Sequence, residues 1–127
     1  MIQTFHFRRR HRLAADRDYQ AVFAASIKQH RGPITVFARE NALPHHRLGL
    51  SIGKRIGGAV IRVRLKRKLR EAFRMNQHLV ELTQSGGFDF VVTARPHKIM
   101  QTTDYNELLT SAMLKLARKA GTQASGS

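Results

Sequence analysis

Apolar residues recur along the chain at two spacings, and the spacing separates strands from helices. Ile34, Val36 and Ala38 alternate with Thr35, Phe37 and Arg39, the period-two pattern of a half-buried strand. Leu48, Leu50 and Ile52 alternate with Gly49 and Ser51 in a second strand. Phe88 to Arg95 is apolar enough for a central strand, and Pro96 stops it. Elsewhere the period is helical. Tyr19, Val22, Phe23 and Ser26 to Ile27 fall on one helix face behind Asp16, a residue type suited to an N-cap. Ala59 to Leu82 reads as a second helix. Tyr105, Leu108, Leu109, Ala112 and Leu116 form the stripe of a last one, opened by Asp104 with Glu107 placed for a capping box. Gly32-Pro33, Gly57-Gly58 and Ser85-Gly86-Gly87 are breaks, and Asn41 to His46, containing Pro44, reads as a hairpin loop. The expected fold is α+β, a two-layer α/β sandwich in the order α-β-β-α-β-α. A basic arm (1–12) precedes a single domain (13–120), and a small-residue, flexible tail (121–127) follows.

Charge changes the picture most. Among 127 residues, Lys plus Arg number 23 and Asp plus Glu 8, a formal net charge of +15. Such an excess repels itself in the folded state, and a polyanionic partner is the usual reason to keep it. Nucleic acid is the first expectation and an anionic membrane surface the second. The absence of Cys excludes disulfides, thiolate zinc sites and thiol nucleophiles. No apolar run is long enough to span a bilayer, and no apolar stretch follows the basic N-terminus as a secretory signal requires. The cytoplasm is the default location.

The cations are densest in the second helix. Spaced 100° apart around its axis, Ile61, Leu65, Leu69, Ala72 and Phe73 share one arc. Lys66, Arg67, Arg70 and Arg74 share another, with Val63 among them, while Arg64 and Lys68 flank the opposite side of the apolar arc. Arg62 lies near the apolar arc at the helix start, where a long stem can reach past the core. Like charges three and four apart destabilise an isolated helix by about 0.2–0.5 kcal/mol per pair, and only Glu71 offsets them. A helix that was merely solvated would interleave more acids. Arg also offers the planar, bidentate geometry that phosphate contacts use. The glycines from Gly53 to Gly58, with Lys54 and Arg55, fit a strand-to-helix turn that meets phosphate.

Two further constellations carry candidate chemistry. Tyr19 and Phe23 are one turn apart, and Phe37 shares a polar strand face with Thr35 and Arg39. Gly49 and Ser51 on the next strand would leave room above the sheet. That arrangement suits base stacking beside a cationic rail of Arg39 and Arg47. The same spacing equally describes a helix packed on a sheet, and the residues alone leave both readings open. The acids Asp16, Asp18, Glu40, Glu71, Glu81, Asp89, Asp104 and Glu107 are scattered, unlike the clustered carboxylates of a two-metal nuclease. His45-His46 in a polar loop could act as acid and base or ligate a metal, but a solvated pair is the commoner case.

The segment Arg62-Val63-Arg64-Leu65-Lys66-Arg67, continued by Arg70, Glu71 and Ala72-Phe73, resembles the signature of the ribonuclease P protein family. The preceding run from Arg47 to Val60 matches the family's strand and turn, and Arg12-Leu13, Asp18-Tyr19 and Val22-Phe23 match its start. The resemblance spans about residues 12–118 in register. It departs at Val63, where the family has an Asn whose hydrogen bonds Val cannot make. The resemblance implies a protein subunit without catalytic residues or cofactors of its own. The RNA subunit would cleave the precursor tRNA with Mg²⁺ on RNA ligands. The basic helix and preceding turn (Lys54, Arg55, Arg62, Arg64, Lys66, Arg67, Arg70, Arg74) would bind that catalytic RNA. Tyr19, Phe23 and Phe37, with Thr35 and Arg39, would line a cleft for the single-stranded 5′ leader. A left-handed β-α-β crossover around the basic helix is also implied, against the usual hand. The competing readings are a ribosomal or other nucleic-acid-binding module and, in another class, a protein-only nuclease using His45, His46 and a carboxylate.

Overall fold

The computed structural model describes residues 7–125, with side chains described through Ala120. Residues 1–6 of the expected arm and 126–127 of the expected tail lie outside the described residues. The elements are α1 (Asp16–Ala25), β1 (Lys28–Arg31), β2 (Ile34–Glu40), β3 (Arg47–Ser51), α2 (Ala59–Asn76), β4 (Phe88–Ala94) and α3 (Thr102–Ser125). Short 3-10 turns occupy Arg9–His11, Lys54–Ile56 and Gln77–Leu79.

The strands form one sheet in the order β1-β2-β4-β3. β4 pairs antiparallel with β2 and parallel with β3. The apolar character of Phe88 to Val92 thus marks a central strand buried on both faces. It also means that Asn41 to His46 is not a hairpin loop. β2 and β3 both border β4 and never each other, and β3, α2 and β4 make a parallel β-α-β unit. The actual hairpin joins β1 to β2 through Gly32-Pro33, where Gly32 takes φ +55° and Arg31 faces Ile34.

The main core lies between one face of the sheet and the pair α2 and α3. Ile34, Val36, Ala38, Leu48, Phe88, Phe90 and Val92 meet Leu65, Leu69, Ala72 and Phe73 of α2 and Tyr105, Leu109, Ala112, Met113 and Leu116 of α3. Ile61, expected on this arc, is 40% exposed, because the first turn of α2 projects beyond the core. α1 lies on the other face, where Leu13, Val22 and Val91 form a small second cluster. The sandwich therefore carries a partial third layer that a two-layer expectation lacks.

Element ends differ from expectation for local reasons. α2 stops at Asn76, whose side chain donates to the Ala72 carbonyl, and a 3-10 turn brings Val80 back into the core. Ala15 occupies the N-cap of α1, so Asp16 and Asp18 act as first-turn acids. α3 begins about one turn earlier than expected. From the third helical position Asp104 reaches back to accept from the Gln101 N–H at 3.2 Å, and Glu107 is exposed. α3 continues through Ser125, into the segment read as a tail. Among the expected arm's described residues, Phe7 packs on the core, His11 is buried, and Arg12 bridges to Leu48.

Candidate nucleic-acid interface

On the face covered by α1, the register places Phe37 of β2, Val91 of β4 and Gly49 of β3 in one row across the sheet. α1 lies over that row. Phe23 packs edge-on to Phe37 with ring centroids 4.9 Å apart, and Val22 meets Val91. Tyr19 lies over Gly49. A Cβ at Gly49 would approach the Tyr19 ring to 2.8 Å, so glycine is needed for space. The Tyr19 hydroxyl donates to the Leu13 carbonyl at 3.3 Å and accepts from the Leu50 N–H at 3.1 Å. The room expected above Gly49 is therefore filled by Tyr19 itself.

The expected cleft residues accordingly divide. Phe23 and Phe37 stand together, with the Lys28 ammonium 5.8 Å from the Phe37 centroid. Thr35 is half-buried beside them on the strand and hydrogen-bonded to His30 at 2.7 Å, while Arg39 is exposed. Tyr19, one turn earlier on the same face of α1, lies over β3. There it shares a cleft of about 250 Å³ with Phe7, Arg12, Lys66 and Arg70.

Arg47, expected to serve in a cationic rail, is committed within the fold. Its Nε and a terminal nitrogen each donate to the Asp89 carboxylate at 2.7 Å, and Asp18 lies 3.9 Å away. Asp89 is 0% exposed and also accepts from Asn41 at 2.9 Å. The bidentate bond to Asp89 holds the Arg47 guanidinium above its ordinary pKa. This network fixes the 41–46 connection to the start of β4.

The cations of α2 open onto three grooves. Lys66 and Arg70 face Arg12 and Tyr19 in the cleft above, which has no acid in its lining. Burial and, next, the Arg12 charge hold Arg70 below its ordinary pKa. Arg67, Arg70 and Arg74 border a second groove beside Phe7 and Val63. Arg64, Arg67 and Lys68 face Thr102, at the N-terminus of α3, in a third of about 390 Å³. Glu71 is hydrogen-bonded to Arg74 at 3.0 Å, which holds its carboxyl below the usual range. Arg62 is half-buried, with its Nε out of reach of water. Lys54 and Arg55 are exposed on the turn before α2.

The His45-His46 pair has a structural explanation. His46 is buried, its Nδ1 accepting from the Phe88 N–H at 3.0 Å and its Nε2 donating to the Val80 carbonyl at 2.7 Å. That pattern fixes the neutral form, and burial lowers the pKa. His45 bonds the Arg10 carbonyl at 3.0 Å. Among the described residues no group of three His or acidic side chains comes together to hold a metal. A depressed folded-state pKa gives stability that is present above the unfolded value near 6.5 and is lost as pH falls through the folded value. Urea midpoints should therefore drop from about pH 7.5 to about pH 5.5, and His46→Gln should shrink that drop. An unchanged drop in the variant would place the titration elsewhere.

The sequence profile described as Ribonuclease P matches residues 7–121. The chain belongs to the ribonuclease P protein family. Its relatives include the ribonuclease P protein component of Streptococcus mutans, 38% identical over 111 residues, covering 85% of this chain and 87% of that protein. That of Aliivibrio salmonicida is 37% identical over 116 residues, covering 90% and 95%. In structure, the ribonuclease P protein of Thermotoga maritima superposes with a TM-score of 0.71 at 28% identity, covering 82% of this chain and 96% of that one. A Staphylococcus aureus RNase P protein mutant with defective mRNA degradation activity gives 0.72 at 28%, covering 86% and 89%.

In the candidate interface of this family fold, sequence reasoning missed Phe7 and Arg12. Arg12 is the cation among them. It follows a basic run in sequence, and only its bridge to Leu48 places it opposite Arg70.

Proposed function

We propose that this chain is the non-catalytic, RNA-binding protein subunit of a cytoplasmic ribonuclease P holoenzyme, assisting removal of the 5′ leader from precursor tRNA. The catalytic RNA is the partner of α2 and its preceding turn, through Lys54, Arg55, Arg62, Arg64, Lys66, Arg67, Arg70 and Arg74. The leader lies along the α1 face, against Phe23, Phe37, Thr35 and Arg39 over β2 and Tyr19 over β3. Mg²⁺ belongs to the RNA subunit, where cleavage takes place. One observation carries this reading: the cationic surface running from Arg12 through Lys66 and Arg70 to Arg67, on a helix whose single acid is already held by Arg74. No helix among the described residues is long and apolar enough to cross a membrane.

The test uses the holoenzyme reconstituted with its RNA. Phe37→Ala should weaken binding of leader-bearing precursor tRNA about tenfold, the scale of one lost stacked base, and leave mature tRNA nearly unaffected. Because Phe37 also packs on Phe23, binding is measured well below the variant's melting midpoint. A variant that melts early yet still distinguishes precursor from mature tRNA would make Phe37 a packing residue only.

A further inference from the structure

Two valines on α2 stand in solvent among arginines. Val60 is 75% exposed and Val63 51%. They are three residues apart, hence on one face, and the same stripe continues through Arg67 and Arg74. Neither contributes to the core, and β-branched residues are indifferent helix formers, so the fold gives no reason for them. Val63 lines a groove of about 250 Å³ closed on its other side by Phe7, with Arg67, Arg70 and Arg74 along its length. The Phe7 ring is held edge-on against Phe73 at 5.7 Å, with the Arg12 guanidinium 5.2 Å from its centroid. The acid in the groove, Glu71, is bonded to Arg74.

We propose that this groove receives one unstacked nucleotide of the bound RNA. Its base would lie against Val63 and Phe7, and its flanking phosphates against Arg67 and Arg70. The charge selects the occupant. An apolar peptide would satisfy the valine and leave the guanidiniums facing one another, whereas a nucleotide supplies a flat apolar face and anionic oxygens together. Val63 is then a specificity-determining residue: it favours an RNA that presents an unpaired base at this point over one that presents only backbone. The inference rests on the reading of α2 as the RNA-binding surface.

The experiment measures binding of the full chain to ribonuclease P RNA across a salt series, with thermal melts of each variant. Val63→Ala and Val63→Asn should bind about five- to tenfold more weakly, the low end of the range for a base contact. Their log–log salt slope should be unchanged, since no phosphate contact is lost. Val63→Leu, which keeps the apolar floor, should bind like the parent. Arg67→Ala should weaken binding and flatten the slope. If Arg67→Ala behaves so while Val63→Ala and Val63→Asn bind like the parent, the groove proposal is overturned and the α2 reading stands. If none of the variants weakens binding, both are overturned. A Val63→Ala loss that comes with a flattened slope also overturns it, because Val63 would then act through phosphate contacts.

Discussion

Arg47→Ala should remove about 3–5 kcal/mol of folding stability, the cost of leaving a buried carboxylate without its cation. Asp89 is fully enclosed, and Arg47 supplies both of its short charged hydrogen bonds; Asn41 alone would remain. Domains of this size have only about 5–15 kcal/mol in total, so the variant should be partly unfolded at 37 °C or near it. Urea denaturation of the free protein measures this directly. The cost belongs to the orphaned charge more than to the pair. Replacing both residues, Arg47→Met with Asp89→Met, should therefore recover most of the loss. A single variant within about 1 kcal/mol of the parent, the scale of an exposed pair, would show that solvent reaches Asp89 and that the network holds nothing in place.

Arg12→Ala combined with Arg70→Ala should move affinity and stability in opposite directions. The two guanidiniums converge on a cleft without acids, and burial already disfavours the charge on Arg70. Removing them relieves repulsion in the free protein, which should melt at the same temperature or slightly higher. Charge-assisted hydrogen bonds are worth about 1.5–3 kcal/mol each, so binding to ribonuclease P RNA should fall by about tenfold to a hundredfold per arginine. The log–log salt slope should flatten by about 2 units in the double variant. Weaker binding with an unchanged slope would mean that these arginines shape the cleft without touching phosphate.

Periodicity made most of the elements legible, because burial imposes it directly. Ile34, Val36 and Ala38 point one way and all three are buried. β1 left no such trace. Its four residues, Lys28-Gln-His-Arg31, are polar and lie at the sheet edge, and strand geometry comes to them from pairing with β2. Strand order was hidden for a related reason: nothing local in Leu48 to Ile52 distinguishes a partner forty residues ahead from one just behind. At the interface, the amphipathic arc of α2 could be drawn from its residues alone. The roles of Arg47 and Gly49 could not. One depends on Asp89 and the other on Tyr19, and only the tertiary fold makes them neighbours.

The placement of β4 has a consequence for how the chain is made. During translation, α1, the β1–β2 hairpin, β3 and all of α2 leave the ribosome before the strand that joins them. Until Phe88 to Ala94 emerges, β3 has no ladder, and the apolar face of α2 has no complete sheet to settle on. Long-range pairings of this kind are late and slow. A nascent chain of this protein thus carries its most cationic helix in the open, beside an RNA machine, before it possesses a finished sheet.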